Sequence, residues 1–222
     1  MGRPVVIFDC NGVLVDSERI SSTVLAEALS AVGTTLPAEE LARRFHGRRP
    51  ADVFAILGRS VQASLPLDFP ETVAAETLRR LRRELRPVAH AERALTLIRG
   101  PKAVASSSPM QRIRLSLEVT DLLRFFDPRL FSAGDVLRGK PALDLFQLVA
   151  RRLQINPAEC IVVEDSVAGV AAAKAAGVRP LGFVGGSSGE GHLARELIGA
   201  GARAVIADLR ALKSAVVELR RW

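Results

Sequence analysis

Cysteine, aromatic residues and long apolar runs are all scarce in this sequence, and each scarcity narrows what the protein can be. The chain has two cysteines in 222 residues, and 5% of its residues are aromatic. Cys10 and Cys160 lie at or beside predicted buried strands, so we interpret them as small reduced hydrophobic residues and expect no disulfide framework. No apolar run approaches the ~20 residues that a membrane-spanning helix needs. We therefore expect no membrane partner.

The start of the chain lacks the long apolar segment and small-residue cleavage site of a signal peptide. We therefore expect a cytoplasmic protein. A net charge of +7 could indicate nucleic-acid binding, but the basic residues are scattered along predicted helices and few aromatics are available for stacking. Steering of a small anionic substrate, or solvated arginine faces, explains the charge better. We expect no nucleic-acid partner, and either a monomer or a weak homo-oligomer.

The spacing of apolar residues divides the chain into two kinds of structure. Residues 16–86 contain helical patterns, at about 16–32, 37–45, 50–57 and 70–85, and no convincing strand. Short apolar strands alternate with amphipathic helices after residue 87, with strands predicted at 103–105, 130–131, 161–163 and 180–184 and a last helix at 209–221. Such alternation predicts a parallel sheet with right-handed crossovers. We predict an α/β core domain formed by residues 1–15 and 87–222, interrupted by a helical cap domain at residues 16–86.

The first predicted strand ends in an acidic residue. The apolar run at residues 5–8 is followed by Asp9, Cys10, Asn11 and Gly12. A buried strand that ends here would deliver the Asp9 carboxylate into a loop at the carboxyl edge of the sheet, where open α/β sheets bind ligands. The sequence therefore indicates that Asp9 belongs to a binding or catalytic site.

Three further stretches place polar side chains at strand ends or turns. Ser106 and a neighbouring serine precede a helix start, where hydroxyl and amide groups bind anions. Lys140 lies between a glycine and a proline and could neutralise a phosphoryl group and an aspartate. Glu164 and Asp165 end a buried strand, where they need a compensating cation such as Mg²⁺. Taken singly, each stretch also fits an ordinary helix cap, turn or exposed lysine.

Together and in this order, these residues resemble the four motifs of the haloacid dehalogenase superfamily. Asp9 begins the first motif, Ser106 matches the second, Lys140 in Gly-Lys-Pro-Ala the third, and Glu164-Asp165 before Ser-Val-Ala-Gly the fourth. The resemblance covers the whole chain. It implies a Rossmann-like core with a parallel sheet flanked by helices, and an inserted all-helical cap of the C1 type.

The resemblance also implies a reaction and a set of residue roles. In the phosphatases of this superfamily an aspartate at the position of Asp9 attacks phosphorus and forms an aspartyl-phosphate. Mg²⁺ is then the implied cofactor, and its implied ligands are Asp9, the backbone carbonyl of Asn11, Glu164 and Asp165. The residues implied to bind the phosphoryl group are Ser106, Ser107 and Lys140. The implied substrate is a small phosphate ester.

Asn11 departs from the superfamily pattern. Active relatives have an aspartate there, which acts as general acid and base and contributes roughly a hundredfold to ten-thousandfold. The side-chain amide of Asn11 cannot act as a general acid or base near neutral pH. The main-chain carbonyl of Asn11 remains available to a metal. We therefore predict a protein that binds Mg²⁺ and phosphate esters but turns them over slowly. The rest of the motif is intact, which favours a recent or deliberate substitution over natural loss of activity.

The subgroup can be narrowed further. The stretches at 9–18 and 127–136 resemble bacterial sugar-phosphate phosphatases and mutases of the 6-phosphogluconate phosphatase and β-phosphoglucomutase subgroup. Mutases of that subgroup carry a cap histidine at the position of Ser21, so its absence favours a phosphatase. A phosphomutase and a non-catalytic sugar-phosphate-binding protein stay open. A metal-independent dehalogenase also lacks the second aspartate, but the retained Glu164-Asp165 pair argues against it.

One loop of the predicted cap corresponds to the place where related enzymes carry a substrate-specificity loop. It consists of His46, Gly47, Arg48 and Arg49. The two arginines could reach a carboxylate or second phosphate of a sugar acid or bisphosphate. Solvated arginines without a ligand are an equally good interpretation. We predict substrate contacts from all four residues.

Overall fold

The computed structural model describes residues 4–60, 65–185 and 190–220, and its centre is one parallel sheet. Six strands form it in the order β3-β2-β1-β4-β5-β6. They are β1 (Val5–Phe8), β2 (Lys102–Ser106), β3 (Leu130–Ser132), β4 (Cys160–Glu164), β5 (Arg179–Phe183) and β6 (Ala204–Ile206). All neighbouring strands pair in parallel. The predicted α/β class with a Rossmann-like core is confirmed.

Ten α-helices accompany the sheet within the described ranges. Four lie between β1 and β2: α1 (Glu18–Ala31), α2 (Ala38–Phe45), α3 (Pro50–Ser60) and α4 (Phe69–Glu84). The other six are α5 (Ala91–Leu97), α6 (Met110–Val119), α7 (Asp144–Leu153), α8 (Val167–Ala175), α9 (Glu190–Ala200) and α10 (Leu212–Leu219). None of the helices described is both long enough and apolar enough to cross a membrane.

The first strand is apolar throughout because both faces of the sheet are covered. All four residues of β1 are buried. Since successive side chains of a strand point to opposite faces, Val6 and Phe8 join one hydrophobic cluster while Val5 and Ile7 join another. This two-sided burial explains why β1 shows a continuous apolar run rather than an alternating pattern. Pairing with β2 on one side and β4 on the other places β1 inside the sheet, so its carboxyl end has strands on either side.

The four helices between β1 and β2 have a hydrophobic cluster of their own. It includes Leu29 of α1, Leu41 of α2, Leu57 of α3 and Val73 of α4. Leu81, near the end of α4, instead packs in the cluster on one face of the sheet. The insertion, defined here as residues 18–84, is therefore a helical layer that α4 joins to the core. The exact domain bounds at residues 16 and 86 stay a prediction.

Two elements were not predicted from the sequence, α9 and β6. Strand β6 has three residues at the edge of the sheet, and of these only Ile206 is buried, so its apolar pattern is too short to distinguish from a loop. Helix α9 contains Gly191 and Gly199, which lower helix propensity. The predicted last helix at 209–221 contains a 3₁₀ turn at Leu209–Ala211 followed by α10, and its final residue lies outside the described ranges.

The contact between the aromatic rings of Phe8, in β1, and Phe126 allows the packing of the core to be tested. The rings of Phe8 and Phe126 meet edge to face with centroids 5.7 Å apart, and Phe126 is fully buried. We expect Phe126→Ala to lower the free energy of unfolding by about 3–5 kcal/mol, because it leaves a cavity against β1. Urea denaturation measures the change. Leu137→Ala, at a side chain that is 88% exposed, is the control, and equal effects of the two variants would contradict this packing.

Candidate active site

The carboxyl ends of three adjacent strands bring the predicted polar residues together. In the sheet register Phe8 lies opposite Val104 of β2 and Val163 of β4. Asp9 therefore leaves β1 between the ends of these two strands, and its backbone N–H donates to the carbonyl of Val163 at 2.9 Å. Ser106 ends β2 and Glu164 ends β4. The strand ends that the sequence marked as polar are thus neighbours.

The ammonium group of Lys140 joins two of these carboxylates. Its Nζ donates to Oδ1 of Asp9 at 2.6 Å, to the carbonyl of Ala105 at 3.2 Å, and to Oε1 of Glu164. Burial acts to lower the pKa of Lys140, but the charges and hydrogen bonds of Asp9 and Glu164 outweigh it and raise the pKa. Lys140 is therefore a buried permanent cation with three acceptors, rather than an exposed lysine in a turn.

Asp9 has one engaged oxygen and one free oxygen. Its Oδ1 accepts from Lys140, whereas its Oδ2 accepts no hydrogen bond from the residues described. Burial raises the pKa of Asp9 most, Lys140 lowers it, and Glu164 raises it again, with a net value of about 6. The residue also lines a cavity, so Oδ2 is accessible to a ligand there. An ionised carboxylate with one free oxygen is suited to nucleophilic attack or to metal binding.

The two members of the acidic pair have different surroundings. Both oxygens of Glu164 are engaged, because Oε1 accepts from Lys140 and Oε2 accepts from the backbone N–H and hydroxyl of Ser166 at 3.3 and 3.1 Å. Asp165 lines the cavity, and its Oδ2 lies 3.0 Å from Nε2 of His46. Of the two, Asp165 is thus the residue at the cavity, and Glu164 holds Lys140.

Two glycines allow close approaches that no other residue would permit. Gly12 has φ +75°, and a Cβ there would overlap the Asp165 carboxylate. Gly47 has φ +72°, and a Cβ there would lie 2.5 Å from the hydroxyl of Ser166. The carbonyl of Gly47 accepts a hydrogen bond from Ser107 at 2.8 Å. These glycines bring the loop after β1, and the loop between α2 and α3, against the end of β4.

His46 connects the insertion to the core. Its Nε2 lies 3.0 Å from Asp165 and 3.5 Å from Glu18, and potential ligand atoms of the three residues lie within 4.8 Å of one another. Burial lowers the pKa of His46, but Asp165 and Glu18 outweigh it and raise the pKa to about 10. The pKa of Glu18 is raised to about 7, chiefly by burial. Glu18 was not predicted as a site residue, because its place at the start of α1 already explains an acidic side chain.

Asn11 lies in a hydrogen-bond network that spans the insertion and the core. Its Nδ2 donates to the hydroxyl of Ser108 at 3.0 Å, and its Oδ1 accepts from the hydroxyl of Ser17 at 2.8 Å. Arg112 of α6 donates through Nη2 to Ser21 at 2.7 Å and to Ser17 at 3.3 Å. Sequence reasoning missed Ser17, Ser108 and Arg112, since no local pattern distinguishes them from helix-surface and turn residues.

The remaining predicted ligand residues lie in different places. Ser106 is fully buried, and its Oγ accepts from the backbone N–H of Ser108 at 3.2 Å. Arg48 is exposed and lines the cavity. Arg49 is paired with Asp52 at 2.8 Å and donates to the carbonyl of Leu137 at 3.3 Å. The structure brings Arg48, Ser107, His46 and Gly47 to the cavity wall, but it does not bring Arg49 there.

A cavity of about 220 Å³ lies between the carboxyl end of the sheet and the insertion. One side is polar and charged, and it includes Asp9, Glu18, His46, Arg112 and Asp165. The other side is formed by apolar side chains of the insertion: Leu25, Leu41, Phe45, Val53 and Val73. A ligand that bound to Asp9 would therefore extend between the insertion and α6.

Comparison with known proteins gives consistent matches. The sequence profile of the haloacid dehalogenase-like hydrolases matches residues 4–177. The chain is 34% identical over 179 residues to the 6-phosphogluconate phosphatase of Escherichia coli, covering 80% of this chain and 81% of the relative. It is 32% identical to a phosphorylated carbohydrates phosphatase of Thermotoga maritima, and the match covers 90% of this chain and 93% of the relative. The solved structure of a haloacid dehalogenase-like protein of unknown function from Agrobacterium tumefaciens matches with a TM-score of 0.83 and 30% identity. The match covers 99% of this chain and 100% of that protein.

The contacts of Lys140 predict a non-additive effect on stability. Lys140→Met leaves the buried carboxylates of Asp9 and Glu164 without their cation, so we expect it to lower the free energy of unfolding by about 3–5 kcal/mol. Adding Glu164→Gln to Lys140→Met removes one of the uncompensated charges and should restore part of that loss. Urea denaturation in EDTA measures both, with Lys213→Met on the exposed face of α10 as control. A double variant that is less stable than Lys140→Met would contradict the charge arrangement.

Proposed function

Because this chain belongs to the haloacid dehalogenase-like hydrolases, we propose that it is a Mg²⁺-dependent phosphatase of a sugar or sugar-acid phosphate, working through an aspartyl-phosphate. The observation that carries the proposal is the buried Asp9 carboxylate, with one oxygen held by Lys140 and the other free at the cavity. Two relatives with at least 30% identity are named as phosphatases of phosphorylated carbohydrates or sugar acids, which supports the activity and substrate class.

In the proposed first step, Oδ2 of Asp9 attacks the phosphorus atom of the ester. The bond between phosphorus and the sugar oxygen breaks, and that oxygen takes a proton from water because Asn11 cannot supply one. The Lys140 ammonium keeps Asp9 ionised and offsets negative charge on the phosphoryl group. Hydroxyl and amide groups after β2, from Ser107 onward, are placed to bind phosphoryl oxygens. Water then hydrolyses the aspartyl-phosphate, which releases phosphate and restores Asp9.

The residues at the site fit Mg²⁺. Asp9 and Asp165 offer hard oxygen ligands, and the backbone carbonyl of Asn11 is the third oxygen that we propose. Four carboxylates, from Asp9, Glu18, Glu164 and Asp165, lie near three at least partly buried side-chain cations, Lys140, His46 and Arg112, of which Arg112 makes no ion pair with them. This excess of negative charge favours a bound cation. When bound, Mg²⁺ would neutralise phosphoryl oxygens, with Asp9, Asp165 and the Asn11 carbonyl as proposed ligands and Glu164 as the partner of Lys140.

Asn11 is the residue that limits turnover in this proposal. We assign its side chain to the general-acid position, but an amide does not ionise near neutral pH and cannot protonate a leaving oxygen. The ligand-binding groups Asp9, Lys140 and Asp165 are all retained. The protein should therefore bind a phosphate ester better than it converts it.

Restoring a carboxyl group at position 11 tests the proposed reaction. We expect Asn11→Asp to raise phosphate release in the presence of Mg²⁺ by at least about tenfold, because general acid–base catalysis contributes about a hundredfold or more. A phosphate-release screen of sugar and sugar-acid phosphates measures this. Asn156→Asp is a matched control, since Asn156 caps a 3₁₀ turn away from the cavity and aspartate caps equally well.

A smaller increase would show that residue 11 is not the general acid. A phosphomutase would convert sugar phosphates to isomers without net phosphate release. Unchanged inactivity in Asn11→Asp, together with micromolar binding of a phosphate ester, would instead favour a non-catalytic binding protein.

The metal assignment has its own test. We expect EDTA to abolish the activity of the Asn11→Asp protein and Mg²⁺ to restore it. Asp165→Asn should weaken Mg²⁺ binding by at least about tenfold, because it replaces a charged ligand with a neutral amide. Isothermal titration of the protein with Mg²⁺ measures the affinity without relying on turnover. Asp208→Asn, at a surface turn, is the control, and equal affinities in the two variants would exclude Asp165 as a ligand.

A further inference from the structure

Arg112 is a cation at the cavity wall for which the phosphate chemistry gives no role. It lies near the start of α6, and its Nη2 donates to the hydroxyls of Ser17 and Ser21 at 3.3 and 2.7 Å. Its Nε is buried and has no hydrogen-bond partner. Within residues 4–60, 65–185 and 190–220, its Nη1 has no partner either, and Arg112 makes no ion pair. The guanidinium is thus held in place by neutral hydroxyls while two of its nitrogens stay unbonded.

Such a guanidinium is electrostatically unsatisfied. Buried arginines in proteins are usually paired with a carboxylate or phosphate, and the planar group is suited to binding either in a bidentate manner. Burial lowers the pKa of Arg112, with Glu18 and Asp9 opposing this from beyond ion-pair distance. Since Nη1 is not fully enclosed and the residue lines the cavity, this donor can reach a bound ligand. An anion in the cavity would supply the partner that the protein does not.

We propose that Arg112 is a specificity-determining residue that binds a second anionic group on the leaving part of the substrate, either a carboxylate or a second phosphate. This inference rests on the proposed phosphatase activity. Arg112 belongs to the core, whereas of the two loop arginines predicted to recognise such a group, Arg48 and Arg49, only Arg48 lines the cavity. Arg48 is exposed, so its contacts are screened by water, while Arg112 is partly buried and fixed by two hydroxyls.

A purely positioning role for Arg112 makes different predictions. Through Ser17, Arg112 contacts the side chain at position 11, so it could act by orienting the general acid. Loss of such a role would slow turnover of every substrate by the same factor. Loss of an anion-binding role would instead change the preference between substrates that differ only in the second anionic group. The ratio of kcat/KM for a matched pair of substrates therefore separates the two roles.

The experiment compares matched esters in the Asn11→Asp background, with Mg²⁺. The first pair is 6-phosphogluconate and glucitol 6-phosphate, which differ by a carboxylate against a hydroxymethyl group. The second pair is fructose 1,6-bisphosphate and fructose 6-phosphate. We expect the parent to prefer the more anionic member of one pair, which identifies the group as carboxylate or phosphate. Arg112→Gln should reduce that preference by at least about tenfold, because a charged hydrogen bond is lost.

Two further variants support the interpretation. Arg112→Lys keeps the charge but loses the fork of donors, so we expect a preference between those of the parent and Arg112→Gln. Arg93→Gln, on the exposed face of α5, should leave the preference unchanged. Isothermal titration uses the chain that keeps Asn11 and carries each Arg112 substitution. It measures the affinity for the same esters without relying on turnover. Thermal melting establishes that each variant is folded. If Arg112→Gln fails to fold, a reduced substrate preference in Arg112→Lys supports the inference, and an unchanged preference contradicts it.

The outcomes separate this inference from the proposed function. If the parent hydrolyses phosphate esters but shows no preference within either pair, or keeps its preference in Arg112→Gln, the inference is wrong and the phosphatase activity stands. An equal loss of kcat on all substrates would show that Arg112 is only a positioning residue. If the parent neither binds nor hydrolyses any of the esters, the proposed function fails, and the inference fails with it.

Discussion

The buried ammonium of Lys140 lies between the carboxylates of Asp9 and Glu164, and the arrangement of the other charges depends on this contact. A lysine alone in this position would be costly to bury, as would either carboxylate. Together they form a group in which Glu164 holds Lys140, Lys140 holds one oxygen of Asp9, and the other oxygen of Asp9 is left free. Parallel strands make this possible because they bring residues distant in sequence to one edge.

The insertion completes the site through a small number of polar contacts. His46 approaches Asp165, the carbonyl of Gly47 accepts from Ser107, and Arg112 reaches from α6 to Ser21 on α1. Each contact joins the insertion to an element at the carboxyl end of the sheet. The cavity is consequently charged on the core side and apolar on the insertion side. In the proposed reaction, a substrate with its phosphoryl group at Asp9 would place its leaving group against both surfaces.

The fold class, and the presence of Asp9, Lys140 and Glu164 at strand ends or turns, could be predicted from the sequence because these features depend on local patterns. Strand burial shows as an apolar run, and a carboxylate or lysine at a strand end or turn is conspicuous. The pairing of Arg49 with Asp52 is an i,i+3 contact that the sequence could have indicated. The sequence could not show that Glu164 binds Lys140, because that contact joins residues distant in the chain. Arg112 and Glu18 were missed for the same reason, since each looks like an ordinary helix residue until its distant neighbours are known.

The hydrogen bonds of Asn11 explain how asparagine can occupy position 11 without distorting the site. Its amide group donates to Ser108 and accepts from Ser17, so both side-chain groups have a hydroxyl partner. An aspartate of nearly the same shape could accept from both hydroxyls, because each hydroxyl can donate or accept. The network therefore tolerates either residue, and the fold does not select between them. The two residues differ in proton transfer, since a carboxyl group can act as a general acid or base and an amide cannot. The slow turnover proposed for this chain rests on that difference, because the contacts of Asp9, Lys140 and Glu164 do not involve position 11.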